Sequence, residues 1–315
     1  MHYLGIDLGG TNIAAGITDE THKLLVKTSR KTRVPCSDDE ICEQLAAAAD
    51  ETLRKAGLTL ADIPYIGVGS PGTVNRDTGV IEFSNNLRFE NLPLQKLMEG
   101  KTGKKAILEN DANAAAFGEY RAGALRGAKI AVAITLGTGV GSGIIIDGKI
   151  LAGSNFAGGE MGHTVIRSHG RPCTCGRSGC WEAYASASGL ILTTREAMEQ
   201  DKSSAMWQAA HGDLKNVDGR TAFQAMRQGD ASAKAVVDAY IDDLACGVTN
   251  CINIFQPDIL CIGGGVSNEG DPLMAPLKKL VAKQVYSMNA KKQTVVCRAQ
   301  LGNDAGILGA ALLGA

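Results

Sequence analysis

Residues 6–19 read IDLGGTNIAAGITD, and residues 134–147 read ITLGTGVGSGIIID. The two segments align without a gap, and the first Ile, the Leu, the following Gly and the final Asp match. Each consists of an apolar run, a glycine-rich turn and a second apolar run, which is typical of a β-hairpin. Glycine and isoleucine are common in this chain, so the letters alone could match by chance. Because the strand–turn–strand context recurs with them, the repeat predicts a duplicated architecture.

The turns of these hairpins have the composition of phosphate-binding loops. In such a turn the backbone amides can approach phosphate oxygens, a hydroxyl can donate to them, and a nearby carboxylate can hold Mg²⁺ directly or through water. A plain tight turn is the alternative for any one of them. A third glycine run follows another apolar strand, and neither a P-loop GxxxxGK[ST] nor a GxGxxG leading into a helix is present. The residues expected to bind a nucleotide and its Mg²⁺ are Asp7, Gly9, Gly10, Thr11, Asn12, Thr138, Gly139, Gly263, Gly264 and Gly265.

The order of apolar runs predicts an α/β protein in two halves. Each half starts with hairpin strands and continues with helical patterns, such as a helix over 184–199 and a long helix over 231–255 that Pro257 ends. No Pro- or Ser-rich linker separates the halves, so we expect two close-packed domains with a cleft between them. We predict a small α/β domain at 1–118 plus 301–315 and a large one at 119–300.

A polar stretch at 158–182 reads GGEMGHTVIRSHGRPCTCGRSGCWE. Glycines between Cys173, Cys175 and Cys180 let the backbone turn so that the three sulfurs can converge on one metal ion. A tetrahedral zinc site needs a fourth donor, and the nearest are His163 and His169. The metal would supply folding energy to a stretch too polar to order itself by burial. A disulfide with a spare cysteine, or three unrelated core cysteines, is the alternative.

Charge and cysteine content exclude several classes of protein. The chain has 315 residues, 32 Lys and Arg against 33 Asp and Glu, and a net charge of -1, so no basic field favours nucleic acid or a membrane surface. Nine cysteines form an odd number, which argues against a disulfide framework. Met1 leads directly into an apolar strand pattern and not into a signal peptide, so we expect a cytoplasmic protein.

The pair Asn110–Asp111 is the candidate for catalysis. It follows a short apolar strand and starts an alanine-rich helix. A carboxylate at the mouth of a cleft can accept the proton of a sugar hydroxyl that attacks a γ-phosphate. Helix capping is the common alternative role for Asn or Asp at such a position. Both roles coexist if Asn110 caps the helix and Asp111 points into the cleft.

Glu160, His163 and Glu182 flank the cysteines and are candidates for binding a polyol. Carboxylates accept hydrogen bonds from adjacent hydroxyl pairs. A histidine that ligates a metal through one ring nitrogen can face the substrate with the other. The alternative is that both glutamates are solvated surface residues, which is the usual position of glutamate.

The chain resembles the ROK family (repressors, open reading frames and sugar kinases), which has the actin-like (ribonuclease H-like) ATPase fold. The resemblance covers nearly the whole chain in the expected order. The segment EAYASASGL at 182–190 is most like the bacterial glucokinases of that family. The matching motifs are GIDLGGT at 5–11, ENDANAAAFGE at 109–119, LGTGVGSGIIIDGKILAG at 136–153, GGEMGH at 158–163, CTCGRSGCWE at 173–182 and IGGGVS at 262–267.

The resemblance implies specific roles for these residues. It implies that the glycine turns bind ATP and that Asp111 is the general base. It also implies a structural zinc ion on His163, Cys173, Cys175 and Cys180. The sugar-binding residues implied by it are Asn86, Asn110, Asp111, Glu160, His163 and Glu182. Phe89 stands where relatives often have tryptophan, so the packing beside Asn86 departs from the family pattern. Family members are commonly dimers, so we expect a homodimer or higher homo-oligomer.

The sequence therefore predicts an ATP-dependent kinase for the 6-hydroxyl of glucose. The alternatives are a kinase for N-acetylmannosamine, N-acetylglucosamine, fructose or allose, and a sugar-responsive regulator. A regulator of this family carries a helix-turn-helix before the first hairpin, whereas only Met1 and His2 precede the first strand here.

Overall fold

The computed structural model describes residues 1–85 and 87–315. Asn86, one of the predicted sugar-binding residues, lies outside this part. The strands of the described part are β1 (His2–Leu8), β2 (Asn12–Asp19), β3 (Leu24–Lys31), β4 (Ile66–Ser70), β5 (Thr73–Asn75), β6 (Val80–Ser84), β7 (Phe89–Leu92), β8 (Ala106–Asn110), β9 (Ile130–Leu136), β10 (Val140–Ile146), β11 (Lys149–Ile150), β12 (Ile259–Gly263) and β13 (Val295–Arg298). The α-helices are α1 (Asp38–Ala56), α2 (Leu94–Thr102), α3 (Asp111–Ala122), α4 (Glu182–Ala185), α5 (Ala187–Gln200), α6 (Met206–Ala209), α7 (Thr221–Arg227), α8 (Ala231–Phe255), α9 (Asp271–Gln284) and α10 (Ala305–Ala311).

Two five-stranded sheets share one plan. The first has the order β3-β2-β1-β4-β8 and the second the order β11-β10-β9-β12-β13. In the first sheet β2 is antiparallel to both β1 and β3, whereas β4 is parallel to β1 and β8 is parallel to β4. In the second sheet β10 and β11 are antiparallel and β12 and β13 are parallel. The predicted repeat of a glycine hairpin thus extends to the topology of the sheets around it.

The described chain divides into two compact units. Unit 1 comprises Met1–Ala133, Gly143–Gly159 and Gln300–Ala315, and unit 2 comprises Ile134–Ser142 and Glu160–Ala299. The domains expected from the sequence, 1–118 plus 301–315 and 119–300, stay a prediction.

Strand β1 has different neighbours on its two faces. Leu4, Ile6 and Leu8 are fully buried and belong to the same apolar core as the buried face of α1. On the opposite face, a Cβ on Gly5 would lie 2.1 Å from the carbonyl oxygen of Ile307, so α10 contacts the strand backbone directly. Asp7 shares this second face, since side chains alternate along a strand.

Helices α3 and α10 of unit 1 cross at two glycines. A Cβ on Gly118 would lie 2.3 Å from the oxygen of Ala305, and one on Gly309 would lie 1.6 Å from the oxygen of Ala114. No side chain fits at such distances, so the glycines allow backbone-to-backbone packing. This crossing holds α3, whose first residue is Asp111.

The helix predicted over 184–199 is interrupted. Ser186 is extended, with φ -78° and ψ 167°, and its Oγ accepts from the amide of Gly189 at 3.0 Å. The amide of Ala187 donates to the oxygen of Gly137 at 2.8 Å and not to a helical partner. The long helix over 231–255 is confirmed as α8, and Gln256 ends it in the left-handed conformation with φ 43° just before Pro257.

The three-stranded sheet β5-β6-β7 was not predicted from the sequence. The strands have 3, 5 and 4 residues. Runs that short and that polar lack the alternation by which a strand is recognised.

In the described part of the chain, every helix is too short or too polar to cross a lipid bilayer.

Candidate functional site

In unit 1, three parallel strands end at the same edge of the first sheet. The register pairs Asp7 of β1 with Gly69 of β4, and Gly69 with Glu109 of β8. One residue further, Ser70 pairs with Asn110. Ligands of open α/β sheets bind at the carboxyl ends of the strands. The register therefore brings Asp7 and the Asn110–Asp111 pair, which are distant in sequence, to one such edge.

Asn110 caps helix α3, as the sequence analysis allowed. Its Oδ1 accepts from the amide of Asn113 at 3.1 Å, and its Nδ2 donates to the oxygen of Gly72 at 3.1 Å. The second hydrogen of Nδ2 can donate to another acceptor, since a side-chain amide has two. Asp111, the first residue of the helix, accepts at Oδ1 from the amide of Ala112 at 2.9 Å. The capping role thus falls on Asn110, and the Asp111 carboxylate keeps further acceptor positions.

Two carboxylates of this edge have raised pKa values. Burial raises the pKa of Asp111. The pKa of Asp7 is raised to about 6, first by burial and then by the charge of Asp111, and the Lys27 ammonium opposes the rise. Asp7 also lies against the start of α10, because a Cβ on Gly306 would lie 2.7 Å from its Oδ2. Carboxylates with raised pKa values in a polar strand edge suit proton transfer or cation binding.

The first glycine turn is closed by the amide of Gly9, which donates to the oxygen of Asn12 at 2.9 Å. The hydroxyl of Thr32, the residue after β3, donates to the oxygen of Gly9 at 2.7 Å and holds the turn. Gly10, Thr11 and Asn12 are exposed. A Cβ on Gly10 would meet no described atom within 4 Å. Packing within the protein therefore gives no reason for glycine at position 10, whereas a close ligand would.

The second glycine turn is occupied by a side chain of the protein itself. Gly137 donates its amide to the oxygen of Gly139 at 3.0 Å, and the amide of Val140 donates to Oε2 of Glu182 at 3.0 Å. A Cβ on Gly139 would lie 2.2 Å from the same Oε2. Gly139 thus makes room for the Glu182 carboxylate, while Thr138 between the two glycines is exposed.

The third glycine run follows β12 in unit 2. Gly264 has φ 83°, and a Cβ there would lie 2.3 Å from the oxygen of Leu136. The Ser267 hydroxyl donates to the oxygen of Gly264 at 2.7 Å. Gly265 is exposed, and a Cβ on it would meet no described atom within 4 Å. Gly264 is therefore required by the turn itself, and Gly265, like Gly10, is open.

Four side chains of unit 2 form a candidate metal centre. One ligand atom each from His163, Cys173, Cys175 and Cys180 lies within 4.8 Å of all the others. The Sγ atoms of Cys175 and Cys180 are 3.7 Å apart, and Sγ of Cys173 is 3.6 Å from Nδ1 of His163. In a tetrahedral zinc site with three thiolates and one imidazole, these edges measure about 3.8 Å and about 3.6 Å. The donor set and its spacing therefore fit one tetrahedral metal ion.

The backbone around these ligands explains the glycines of the cluster. Gly179 has φ 81°, and a Cβ there would lie 1.7 Å from the oxygen of Arg167. Cys173 donates its amide to the oxygen of Arg177 at 2.8 Å, which closes the turn that carries Cys175. The nine cysteines all lie in the described part, and none of them is in a disulfide. Of the two histidines considered from the sequence, His163 joins the ligand group, and the exposed His169 does not.

The polyol candidates of unit 2 lie near this centre in the chain and in space. Glu160 is exposed and precedes a 3₁₀ turn, Met161–His163, whose first amide donates to the Ser142 hydroxyl at 3.0 Å. Glu182 is half-buried at the start of α4, and its Oε1 lies 3.8 Å from Sγ of Cys173. A carboxylate that contacts both the metal cluster and the second glycine turn connects these two features within unit 2.

Two buried carboxylates were missed by the sequence analysis. Glu109 is 2% exposed and forms an ion pair with Arg76 at 2.9 Å. Glu119, also 2% exposed, accepts from the amide of Gln300 at 2.9 Å and from that of Leu301 at 2.7 Å. Both glutamates belong to the motif at 109–119, but no local pattern shows that their partners lie 33 and about 181 residues away.

The whole chain is similar to known proteins. The model of the ROK family matches residues 3–315. A glucokinase of Thermotoga maritima is 40% identical over 312 residues, which cover 99% of this chain and 96% of that protein. A ROK family glucokinase from Streptomyces griseus, solved in complex with glucose and AMPPNP, matches with a TM-score of 0.85 and 33% identity over 99% of both chains. A ROK hexokinase from Thermus thermophilus matches with a TM-score of 0.83 and 33% identity over 99% of this chain and 97% of that one.

These matches run through both hairpins, the strand edge with Asp111 and the cysteine cluster. They confirm the α/β, actin-like ATPase fold expected from the sequence. The chain belongs to the ROK family.

Proposed function

We propose that this protein is an ATP-dependent sugar kinase that phosphorylates the 6-hydroxyl of glucose. The observation that carries the proposal is the half-buried Asp111 carboxylate at the carboxyl edge of the first sheet, with a raised pKa and a second carboxylate close by. The similarity to a glucokinase at 40% identity over nearly the full length supports glucose as the sugar.

Asp111 is the general base in this proposal. Its carboxylate accepts the proton of the sugar 6-hydroxyl while O6 forms a bond to the γ-phosphorus and the bond from that phosphorus to the ADP oxygen breaks. A raised pKa suits the role, because proton transfer is most efficient when the pKa of the base approaches the working pH. Asp7 would hold Mg²⁺, which supplies charge neutralisation on the phosphate oxygens when bound.

The remaining roles follow the family resemblance and the local geometry. The phosphates of ATP are proposed to bind to the glycine turns, where a Cβ on Gly10 or Gly265 would meet no described atom within 4 Å. The sugar hydroxyls are proposed to bind Asn86, Asn110, Asp111, Glu160, His163 and Glu182.

We assign the metal centre to a structural Zn²⁺ ion. Three thiolates and one imidazole at tetrahedral spacing are the donor set that zinc prefers, and four protein ligands leave no open position for substrate. The ion would fix the loop that carries His163 and Glu182.

Cellular location and assembly remain proposals as well. A cytoplasmic location is supported by nine cysteines without a disulfide, since thiols stay reduced in that compartment. We further propose a homodimer or higher homo-oligomer as the assembly, and a sugar, not a nucleic acid or membrane, as the binding partner. The net charge of -1 supports the latter.

A panel of sugars tests the function. ADP release is coupled to a spectroscopic readout with glucose, fructose, allose, N-acetylglucosamine and N-acetylmannosamine, with ATP or polyphosphate as donor. We expect the highest kcat/KM with ATP and glucose. A higher kcat/KM with another of these sugars would replace glucose in the proposal, and no turnover of any sugar, together with sugar-dependent binding to DNA, would favour a regulator.

A further inference from the structure

An ion pair between a buried carboxylate and a partly exposed guanidinium lies beside the proposed catalytic residues. Oε2 of Glu109 accepts from Nη1 of Arg76 at 2.9 Å, with 2% of the Glu109 side chain and 35% of the Arg76 side chain exposed. Arg76 lies in the turn between β5 and β6, and Glu109 is the penultimate residue of β8. The pair therefore joins the small three-stranded sheet to the strand that leads into Asp111.

The other oxygen of the same carboxylate holds the junction between β8 and α3. Oε1 of Glu109 accepts from the backbone amide of Asn110 at 2.9 Å and from Nδ2 of Asn113 at 3.1 Å. Its partners thus lie on both sides of Asp111, one residue before it and two residues after it. Any shift of the Glu109 carboxylate moves the backbone that aims the Asp111 side chain.

A second bond connects the same two segments. Nδ2 of Asn110 donates to the oxygen of Gly72, four residues before Arg76. Gly72 is packed on β6, because with φ 106° its missing Cβ would lie 2.1 Å from the oxygen of Phe83. Residues 72–76 are therefore bound to residues 109–110 at two points, which resists rotation of the junction more than one bond would.

We propose that Arg76 and Glu109 are positioning residues, which fix the Asn110 amide and the Asp111 carboxylate in the orientation that phosphoryl transfer requires. This inference rests on the proposed role of Asp111. Neither residue touches the reacting atoms in the proposal.

The charge of Arg76 is the part of the pair on which the geometry depends. Burial raises the pKa of Glu109, and the Arg76 charge and the hydrogen bonds from Asn110 and Asn113 oppose that rise. Without the guanidinium the buried Glu109 carboxylate loses its counter-charge. Protonation of this carboxylate, or its hydration by water entering the site, then becomes favourable. Either change weakens the two hydrogen bonds at Oε1.

Steady-state kinetics of three variants test the proposal. We expect Arg76→Met to lower kcat about tenfold or more, because a misplacement of about 1 Å can cost 10²-fold in rate. The KM for ATP should stay within about twofold, and Arg76→Lys should recover most of the kcat, since it restores the positive charge. The matched control is Lys101→Met, which removes a cation of unit 1 whose ion pairs within the described residues are with the exposed carboxylates of Asp39 and Glu43. It should leave kcat unchanged.

Hydrogen exchange supplies a readout that needs no sugar. In Arg76→Met the amides of residues 110–113 should exchange faster than in the wild type, while those of β1 and α1 should keep their protection. Lys101→Met should leave the exchange of residues 110–113 at the wild-type rate. The exchange result stands even where the wild type proves inactive on glucose, an outcome that would overturn the proposed function alone.

Two results would overturn the positioning role. One is an Arg76→Met variant with a lower melting temperature but wild-type kcat, which would make the pair a contribution to stability only. The other is unchanged exchange at residues 110–113 in that variant, which would show that the pair does not hold the junction.

Discussion

The two glycine hairpins share a topology and differ in which side chains contact the turn. In the first, residues 10–12 are exposed and a Cβ on Gly10 would meet no described atom. In the second, the Glu182 carboxylate accepts from Val140 and fills the space over Gly139. The repeated backbone is thus open in one copy and bound to a side chain from a later loop in the other.

The parts of the protein that surround the two hairpins also differ. The first belongs to a unit in which strand register and the crossing of α3 and α10 hold Asp7 and Asp111. The second is contacted by a loop whose ligands fit a metal ion. Packing of regular elements orders the first region, whereas the second contains four side chains that could bind one metal ion. The two hairpins have matching places in their sheets, and residues outside the repeat distinguish their surroundings.

Asp111→Asn tests the first region most severely. We expect kcat to fall by a factor of about 10² or more, the usual contribution of a general base, while glucose binding measured by calorimetry stays near the wild-type value. Since burial raises the pKa of Asp111 above its ordinary value of 3.8, the acid limb of the wild-type kcat–pH profile should also lie above that value. An Asp111→Asn enzyme with wild-type turnover would remove Asp111 from the role of base.

Asp7→Asn tests how much the ionisation of a buried carboxylate destabilises the same region. The pKa of Asp7 is about 6 in the folded protein and 3.8 in the unfolded chain. Its contribution to the free energy of unfolding is therefore fully present below pH 3.8 and is lost as the pH rises through 6. Asparagine does not titrate, so the variant does not lose this contribution. Relative to the wild type, its free energy of unfolding should therefore rise by about 2 kcal/mol between about pH 4.5 and about pH 7.5. Urea denaturation at both pH values, without Mg²⁺ or nucleotide, measures the difference, and a pH-independent difference would contradict the assignment.

Metal removal tests the second region. Elemental analysis should find about one zinc ion per chain. After chelation, or in Cys175→Ser, we expect kcat/KM for glucose to fall about tenfold or more, because the loop that carries His163 and Glu182 loses its ligation. Hydrogen exchange at residues 158–182 should increase while α1 keeps its protection. Cys36→Ser, at a cysteine outside the cluster, is the control. A metal-free protein with full activity would reject the structural role of the ion.

Alanine substitutions in the two turns compare the hairpins directly, with the smallest expected effects. Gly10→Ala should leave the melting temperature unchanged and raise the KM for ATP about fivefold, the equivalent of about one hydrogen bond. Gly139→Ala should instead displace the Glu182 carboxylate, because the new Cβ would lie 2.2 Å from its Oε2. We therefore expect a lower melting temperature and a higher KM for glucose. The same kinetic profile in both variants would contradict the difference between the turns.

Local sequence patterns were sufficient to predict many of the strands and helices and the cluster of cysteines. Apolar runs predicted β1 and β9, and a long helical pattern before Pro257 predicted α8, since burial of a run or of one face leaves a regular trace in the sequence. The spacing of cysteines and glycines at 173–180 likewise predicted a cluster of thiols, because ligands that share one ion must lie close in a short loop.

Contacts between distant segments needed the tertiary structure. The sheet β5-β6-β7, the Arg76–Glu109 pair and the bond from Val140 to Glu182 join residues whose local sequence does not indicate a partner. Spacing along the chain left both His163 and His169 within reach of the cysteines; the family resemblance favoured His163, and the fold brings His163 into the ligand group. Periodicity records which face of an element is buried, but the identity of the residue across that face depends on how the whole chain packs.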